Sequence, residues 1–488
     1  MRKLLLLSIG LAALTLTGCR VGPNYVRAAA PAPPAFKEAP PAAYDSTSWT
    51  VAQPADALLK GDWWTMFGDA QLNALEAQVD PANQTLKAAD AHYRAAVDYV
   101  RFYRASKAPT VGVQPFLGST RQSSNQPYFN PQSPSASANG VGDLSLPFQL
   151  NYEVDLWGRV RRTIAQAGDN AQASAADREN IRLSLHSELA TDYMDLRAND
   201  GQKKLLEDTV VAYRHALQLT QDRYDGGAAP LSDVTQAKTQ LQAALVAATD
   251  VDVQRAQDEH AIAVLIGKAP AELSIPRTPV TVDPPALPVV PGMLPAQLLE
   301  RRPDIAMQER RMAAANESIG IAQAAFYPQL SLSAAAGFIG TSAVNWFSWP
   351  SRFFSVGGNI SQTLYDHGRR AAVTDIARAN YDATVADYRQ TALEAFGQVE
   401  DNLAALHQLE VESQQQREAT AAAQQSLDLF NVRYEGGVDT YLQVVTSQTA
   451  LLQNQRNDID IERRRLQDSV QLVRALGGGW NQTQLPTP

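Results

Sequence analysis

Between residues 206 and 251 the apolar side chains step by four and three. Leu206, Val210, Tyr213, Leu217, Thr220 and Tyr224 form one stripe, and Val234, Ala237, Leu241, Ala244, Ala248 and Val251 form a second. This is the spacing of a coiled-coil seam. Between the stripes lies Gly226-Gly227-Ala228-Ala229-Pro230. Glycines supply left-handed or tight backbone at a helix end, and proline suits the first position of the following helix. The pattern predicts two long antiparallel helices joined by a sharp reversal. At 1.5 Å per residue, the segment 158–225 would run for about 100 Å.

Elsewhere the period falls to two. In 143–154, Leu144, Leu146, Phe148, Leu150, Tyr152 and Val154 share one face, while Asp143, Ser145, Gln149, Asn151 and Glu153 share the other. In 354–365, Phe354, Val356, Ile360 and Leu364 oppose Ser355, Asn359, Ser361 and Thr363; in 329–338, Leu330, Leu332, Ala334, Ala336 and Phe338 alternate with Gln329, Ser331 and Ser333. A weaker fourth strand, 110–118, carries Val111, Val113 and Leu117. Strands of about 9 to 11 residues with one apolar face suit a bilayer-spanning barrel. Pro147 argues against a central place in a soluble sheet and is tolerable at a bulge. The polar stretch 120–139 reads as an exposed loop. Four strands leave two unpaired edges, which hydrocarbon does not tolerate. Other copies must complete the barrel: two would give 8 strands, and three would give 12 with room for a passage.

The chain is written twice. RYDGG at 223–227 returns as RYEGG at 433–437, and the spans 158–267 and 368–477 superpose at an offset of 210 without a gap. Upstream, Pro109 and Pro328 match at an offset of 219, so the intervening segment of the first half is nine residues longer. Duplication implies pseudo-symmetry in the fold. The expected organisation is a leader over 1–18, an extended tether over 19–60 and a first repeat over 61–267, with a β-hairpin at about 110–154 and a helical hairpin at 158–267. A proline-rich linker at 268–300 precedes a second repeat over 301–477, with a β-hairpin at about 329–365 and a helical hairpin at 368–477, and a tail over 478–488. The fold class is mostly α with a membrane β-barrel contribution.

The ends add a compartment. Residues 1–17, MRKLLLLSIGLAALTLT, carry two early cations and an apolar stretch. That stretch is shorter than the roughly 20 residues of a membrane helix, so it reads as an export signal. Leu16-Thr17-Gly18-Cys19 resembles a lipoprotein lipobox, and Cys19 is the only cysteine. Acyl chains at about 0.8 kcal/mol per buried CH₂ would hold the chain on a membrane, so Cys19 is the candidate lipidation site. Arg20, by resemblance to lipoprotein sorting, directs the chain to the outer membrane. A net charge of −9 argues against nucleic acid.

Several blocks resemble a known family. Cys19-Arg20-Val21-Gly22-Pro23-Asn24-Tyr25, the segment DWWTMFGDAQLNAL, and LLERRPDIAMQERRMAAANESIGIAQAAFYPQLSLSAA at 298–335 are similar to outer-membrane factors, the TolC-like tunnels, in their OprM and NodT branch. The two RYxGG motifs and the junctions Asp155-Leu156-Trp157-Gly158-Arg159 and Tyr365-Asp366-His367-Gly368-Arg369 complete the set. The resemblance implies a homotrimer with a 12-stranded barrel in outer-membrane lipid, a periplasmic helical barrel, and an equatorial region built from 268–300 and the C-terminus. It implies a passive exit duct that docks onto a periplasmic adaptor (a membrane fusion protein) and an inner-membrane resistance-nodulation-division (RND) transporter.

The hairpin tips would then be the aperture and the adaptor-docking surface, with Arg223, Tyr224, Asp225, Arg433, Tyr434 and Glu435 in the constriction network. Gln443 and Thr446 stand where relatives carry acids, which leaves Asp233, Asp225, Glu435 and Asp439 to supply a negative field. Gly226, Gly227, Gly436 and Gly437 are assigned turn geometry rather than selectivity. The six histidines include no H-x-x-x-H pair, and neither G-x-x-x-x-G-K-[ST] nor G-x-S-x-G occurs. No catalytic residue, metal or cofactor other than a lipid on Cys19 is therefore expected. A structural lipoprotein scaffold is the competing reading, followed by a surface-anchored hydrolase.

Overall fold

A computed structural model describes residues 20–38, 61–125, 127, 130–133, 139–278, 299–480 and 482–486; the leader, Cys19 and the stretches 39–60 and 279–298 lie outside the described residues. Each half of the chain lays down the same series. The first half gives α1 (Gln84–Ala105), β1 (Thr110–Val113), β2 (Phe116–Thr120), β3 (Val141–Val154), α2 (Arg159–Asp225) and α3 (Leu231–Leu265). The second gives α4 (Pro303–Ala324), β4 (Gln329–Gly340), β5 (Arg352–Ser361), α5 (Arg369–Glu435) and α6 (Tyr441–Ala475). Equivalent helices have equal lengths of 22, 67 and 35 residues. The nine-residue excess lies in the hairpin loop, 20 residues at 121–140 against 11 at 341–351.

Local chemistry sets the boundaries. Asn83 accepts the Leu86 N–H at 3.0 Å and caps α1. Pro303 opens α4 at a position where a missing N–H costs nothing. At the passage from sheet to long helix, Gly158 and Gly368 take φ of +81° and +84°. Asp155 receives the N–H groups of Val160 and Arg161 at 3.0 and 2.9 Å. Asp366 stands one residue nearer its glycine yet receives Gly368 and Arg370, both at 3.2 Å. Among the described residues His367, with φ +52°, is the non-glycine residue in the left-handed region, and it absorbs that one-residue difference.

The sheet runs β1/β2–β3–β4–β5, antiparallel throughout, so the two halves meet at the β3–β4 pair. Paired residues point to the same face, and the register joins the alternating sets of the separate strands into one surface. Val111 pairs with Leu150, Leu150 with Ala334, and Ala334 with Val356; Val113, Phe148, Ala336 and Phe354 form the next row. The opposite face carries Gln149, Asn151, Ser331, Ser333 and Asn359. One side of the sheet is therefore apolar across all strands and the other polar, as lipid outside and water inside require.

Three details depart from the sequence expectation. The 110–118 strand is split at Gln114-Pro115, opposite Pro147, with the pairing register unbroken across the gap. Two prolines at one level remove two ladder donors. Pro147 itself lies in an inner strand, paired with Gly337, and not at a bulge. The last strand ends at Ser361 and not at residue 365, because its partner β4 begins at Gln329, directly after Pro328. Beyond that pair the Gln362 amide turns back to the Phe326 carbonyl at 3.2 Å.

Below the sheet the long helices pack as hairpins, α2 on α3 and α5 on α6, with α1 and α4 flanking their upper parts. The main core lies around mid-height, where Trp63, Trp64 and Leu72 meet Leu189 and Leu196 of α2, Ile262 of α3, Phe396 and Leu403 of α5, and Val470 of α6. All six members of the α3 stripe, from Val234 to Val251, are buried. Each leucine or valine so placed contributes about 1.5–3 kcal/mol. The N-terminal segment is strapped to the top of this region. The fully buried Arg162 donates to the carbonyls of Val21 and Pro23 and pairs with Glu317 at 2.9 Å, and Arg20 pairs with the same carboxylate at 2.6 Å. Among the described residues no helix is long and apolar enough to cross a membrane.

Candidate functional site: the two hairpin tips

Both tips close with the same three backbone hydrogen bonds. Gly226, Gly227 and Ala228 donate to the carbonyls of Asp222, Tyr224 and Arg223 at 3.0, 2.9 and 2.7 Å. Gly436, Gly437 and Val438 donate to Val432, Tyr434 and Arg433 at 3.0, 3.0 and 2.9 Å. Only the second glycine of each pair is left-handed, with φ +73° at both Gly227 and Gly437. Gly226 and Gly436 stay right-handed, at −80° and −72°. Pro230 sits one residue earlier than expected: extended at φ −78° and ψ 157°, it is the N-cap of α3, and the helix proper starts at Leu231. Thr440 fills that place in the second tip.

The side chains break the symmetry. Arg223 crosses to the other hairpin and donates to the carbonyls of Tyr434 and Glu435 at 3.1 and 3.2 Å. Both carbonyls lie at the C-terminus of α5, where a cation is favoured, and the Tyr434 carbonyl also accepts the Gly437 N–H. The same guanidinium lies 4.6 Å from the centre of the Tyr434 ring. Arg433 stays within its own turn and pairs with both oxygens of Asp439. That guanidinium holds the half-buried Asp439 carboxyl below the usual carboxylate range.

Tyr434 is buried, its ring centre 5.3 Å from that of Tyr441, in a cluster with Ala237, Val444 and Val445. Burial raises its phenol, and the negative charge of Asp233 adds to the effect. Tyr441 moves the same way for the same first reason, and burial pushes Tyr213 up to about 12. Tyr224 is exposed; Asp225 accepts from Gln221 at 3.0 Å and Asp233 from Ser232 at 3.4 Å. The expected network thus divides within the protomer. Arg223 meets Tyr434, Arg433 meets Asp439, Glu435 offers its backbone carbonyl, and the side chains of Tyr224 and Asp225 join neither pair.

Tyr441 and Tyr213 were not legible as tip residues. A signal existed: at the offset of 210, Tyr441 faces Leu231 and Tyr213 faces Ala423, so the aromatics are where the halves disagree. A polar cluster at mid-height also escaped notice. His186 bonds Glu76 through Nδ1 at 2.6 Å and Asp80 through Nε2 at 3.0 Å, and its ring stacks on Trp64 at 4.4 Å. Burial pushes Glu76 up to about 7, although the imidazole opposes it. Burial disfavours the charge on His186, and the bonds to Asp80 and Glu76 outweigh it and raise its pKa. The cluster ties the Trp63-Trp64 segment to α2. Among the described residues no three His, Cys, Asp or Glu side chains are grouped as metal ligands.

Comparison with known proteins follows the whole length of the chain. The probable efflux pump outer membrane protein TtgC of Pseudomonas putida is 32% identical over 478 residues, covering 97% of this chain and 96% of that protein. Outer membrane protein OprJ of Pseudomonas aeruginosa is 32% identical over 473 residues, covering 97% and 95%. The solved outer-membrane channel OprN superposes with a TM-score of 0.84 at 27% identity, covering 95% of this chain and 100% of that one. The family model described as outer membrane efflux protein matches residues 72–268 and 294–478. With the β3–β4 junction, the paired long hairpins and these matches together, the chain belongs to the outer membrane efflux protein family.

Proposed function

We infer that this protein is the outer-membrane channel of an efflux assembly, a passive duct that carries no energy-coupling or catalytic machinery of its own. One observation carries the reading: a sheet four strands wide, β1 and β2 lying end to end along β3, with an apolar and a polar face and two unpaired edges, surmounts helical hairpins whose 67-residue arms run for about 100 Å. Unpaired edges in hydrocarbon cost several kcal/mol per backbone group, so the protomer must assemble with its own copies. Three copies give 12 strands and a lumen, and this homotrimer is the state we propose. The hairpin tips then point into the periplasm, where they form the resting aperture and the surface for a periplasmic adaptor and an inner-membrane RND transporter.

Lipidation of Cys19 suits the same arrangement. Arg20 packs on Gly158 at the passage from β3 to α2, and the Val21 N–H bonds the Trp157 carbonyl at 3.1 Å. An acylated neighbour would therefore meet lipid at the level where the strands emerge from it.

The test is purification of the mature chain from membranes and reconstitution in planar bilayers. Detergent-stable trimers with stepwise ion conductance are expected, together with a fatty-acid label that Cys19→Ala abolishes. A water-soluble monomer that never inserts overturns the duct, and a membrane-bound trimer without conductance favours a structural scaffold.

A further inference from the structure

The end of the sheet remote from the helices carries a charge pattern unlike the rest of the molecule. The chain as a whole has a net charge of −9, yet residues 120–142 and 338–361, which form both hairpin loops and the strand ends beside them, contain no aspartate or glutamate. Their only charged side chains are Arg121 and Arg352. Arg352 is the first residue of β5 and pairs with Phe338, which places it in the apolar face at its far rim. Its Nε donates to the Trp349 carbonyl at 3.2 Å and its guanidinium lies over the Trp349 ring. Phe347 packs edge-on against Phe338 at 5.5 Å and stacks on Trp346 at 4.8 Å. Trp349 is 76% exposed and Phe347 61%, so the cluster presents its rings outward. Arg121 follows directly on Thr120, the end of β2, which pairs with Val141, so it lies beyond the Arg352–Phe338–Leu146 row and on the opposite edge of the sheet.

Aromatic side chains mark the level of lipid headgroups on membrane barrels, because one end of the ring is apolar and the other wet. A guanidinium among them is different. On a lipid-facing surface it needs an anion, and its planar fork suits phosphate oxygens in two-point contact. No carboxylate in either loop can serve.

We propose that the Arg352–Trp349 rim, with Phe347 beside it, is a binding surface for the phosphorylated headgroup of an outer-leaflet lipid. The acyl chains continue down the apolar face of the sheet, and the phosphate takes Arg352. This rests on the proposed orientation, with the helices in the periplasm and the hairpin loops outward.

The purified full-length channel is reconstituted in nanodiscs of phosphatidylethanolamine carrying a few per cent of bisphosphorylated lipid A, monophosphoryl lipid A or neither, and bound lipid is counted by native mass spectrometry. Bisphosphorylated lipid A should be retained over the phosphate-poor probe, and Arg352→Gln should weaken retention about tenfold, as loss of one charge-assisted contact implies. Arg352→Lys should restore part of it, and Trp349→Ala should weaken it less. Inorganic phosphate should not compete, since the acyl chains share the binding. Equal retention by the parent and by the Arg352→Gln variant overturns the proposal. If Arg352→Gln fails to assemble, the parent channel decides: retention that ignores ionic strength and phosphate number also overturns it. Conductance of the same samples separates this failure from failure of the duct itself, because an inserted, conducting channel indifferent to lipid phosphate sinks only the rim.

Discussion

At the first hairpin tip Tyr224 stands in solvent and Asp225 is bonded to Gln221 on its own helix, whereas at the second tip Tyr434 is buried between the Arg223 guanidinium and Tyr441. The backbones of the two turns share their three closing bonds, and the second adds one from the Asp439 N–H to the Arg433 carbonyl at 3.4 Å. Duplication has therefore preserved the shape of the reversal while the side chains have taken separate work. The second tip is seated, held by an aromatic cluster and by an arginine from its neighbour, and the first supplies that arginine and keeps its own tyrosine in solvent. In the proposed trimer, the first tip is thus the one with a tyrosine to offer across a subunit boundary.

The largest expected effect comes from unseating the second tip. Truncating Tyr434 removes an aromatic from a packed site, a change that costs about 3 kcal/mol, and releases the Arg223 stack with it. Tyr434→Ala, alone or with Glu435→Ala, should enlarge single-channel conductance in planar bilayers several-fold and admit large antibiotics to intact cells. Tyr224→Ala should disturb the fold by less than about 1 kcal/mol, as an exposed residue does. Equal conductance changes in the two tyrosine variants would erase the distinction between the tips.

A smaller effect separates the two arginines. Arg223 joins one hairpin to the other, so Arg223→Met and Tyr434→Ala should be non-additive, with a coupling of about 1 kcal/mol in a thermal-stability cycle. Arg433 is bound only within its own turn among the described contacts. Arg433→Met should leave the Tyr434 seat intact and couple instead to Asp439→Asn. Additivity of the Arg223 and Tyr434 changes would show that the cation–ring contact does not hold the hairpins together.

Much of this architecture was legible before any fold was known. The period-two sets in four separate segments proved to be one apolar surface, because antiparallel pairing at this register places Val111, Leu150, Ala334 and Val356 side by side. The offsets of 210 and 219 reappear as helices of equal length. What escaped depended on contacts between distant segments. The end of β5 at Ser361 is decided by Pro328, a residue 33 positions earlier in another strand's approach. The seat of Tyr434 is made by Tyr441, Val444 and Val445 of its own hairpin together with Ala237 and Arg223 of the other. Residue patterns report which face a side chain shares; they do not report which hairpin will lean on which.

A still finer difference is expected in acid. The Asp439 carboxyl is held low by Arg433, and a depressed carboxylate contributes stability above its ordinary pKa and loses it as pH falls through the lowered value. From pH 7 to about 5 the pair stays charged on both sides, so conductance should be flat across that window, and the second tip should loosen only below about pH 4. Asp439→Asn should remove that acid response while the first tip, which has Ala229 at the matching position, shows none. A rise in current between pH 7 and 5 that survives Asp439→Asn would assign the response to another group.

The glycines give the smallest difference between the tips, and they decide whether the shared motif is geometry or gate. Gly227 and Gly437 both need φ near +73°, where a side chain costs roughly 1–2 kcal/mol, while Gly226 and Gly436 are right-handed. A methyl group on Gly226 would meet nothing closer than the Asp222 carbonyl at 3.4 Å, and one on Gly436 the Val432 carbonyl at 3.3 Å. Gly227→Ala and Gly437→Ala should therefore lower stability alike, and Gly226→Ala and Gly436→Ala should change it by less than about 0.5 kcal/mol. The two tips should respond in parallel here, in contrast to the tyrosines and arginines, because the glycines serve the backbone that the tips have in common. Should Gly437→Ala raise conductance while Gly227→Ala does not, the second turn would itself be part of the aperture, and the division between a shared backbone and divergent side chains would fail at that residue.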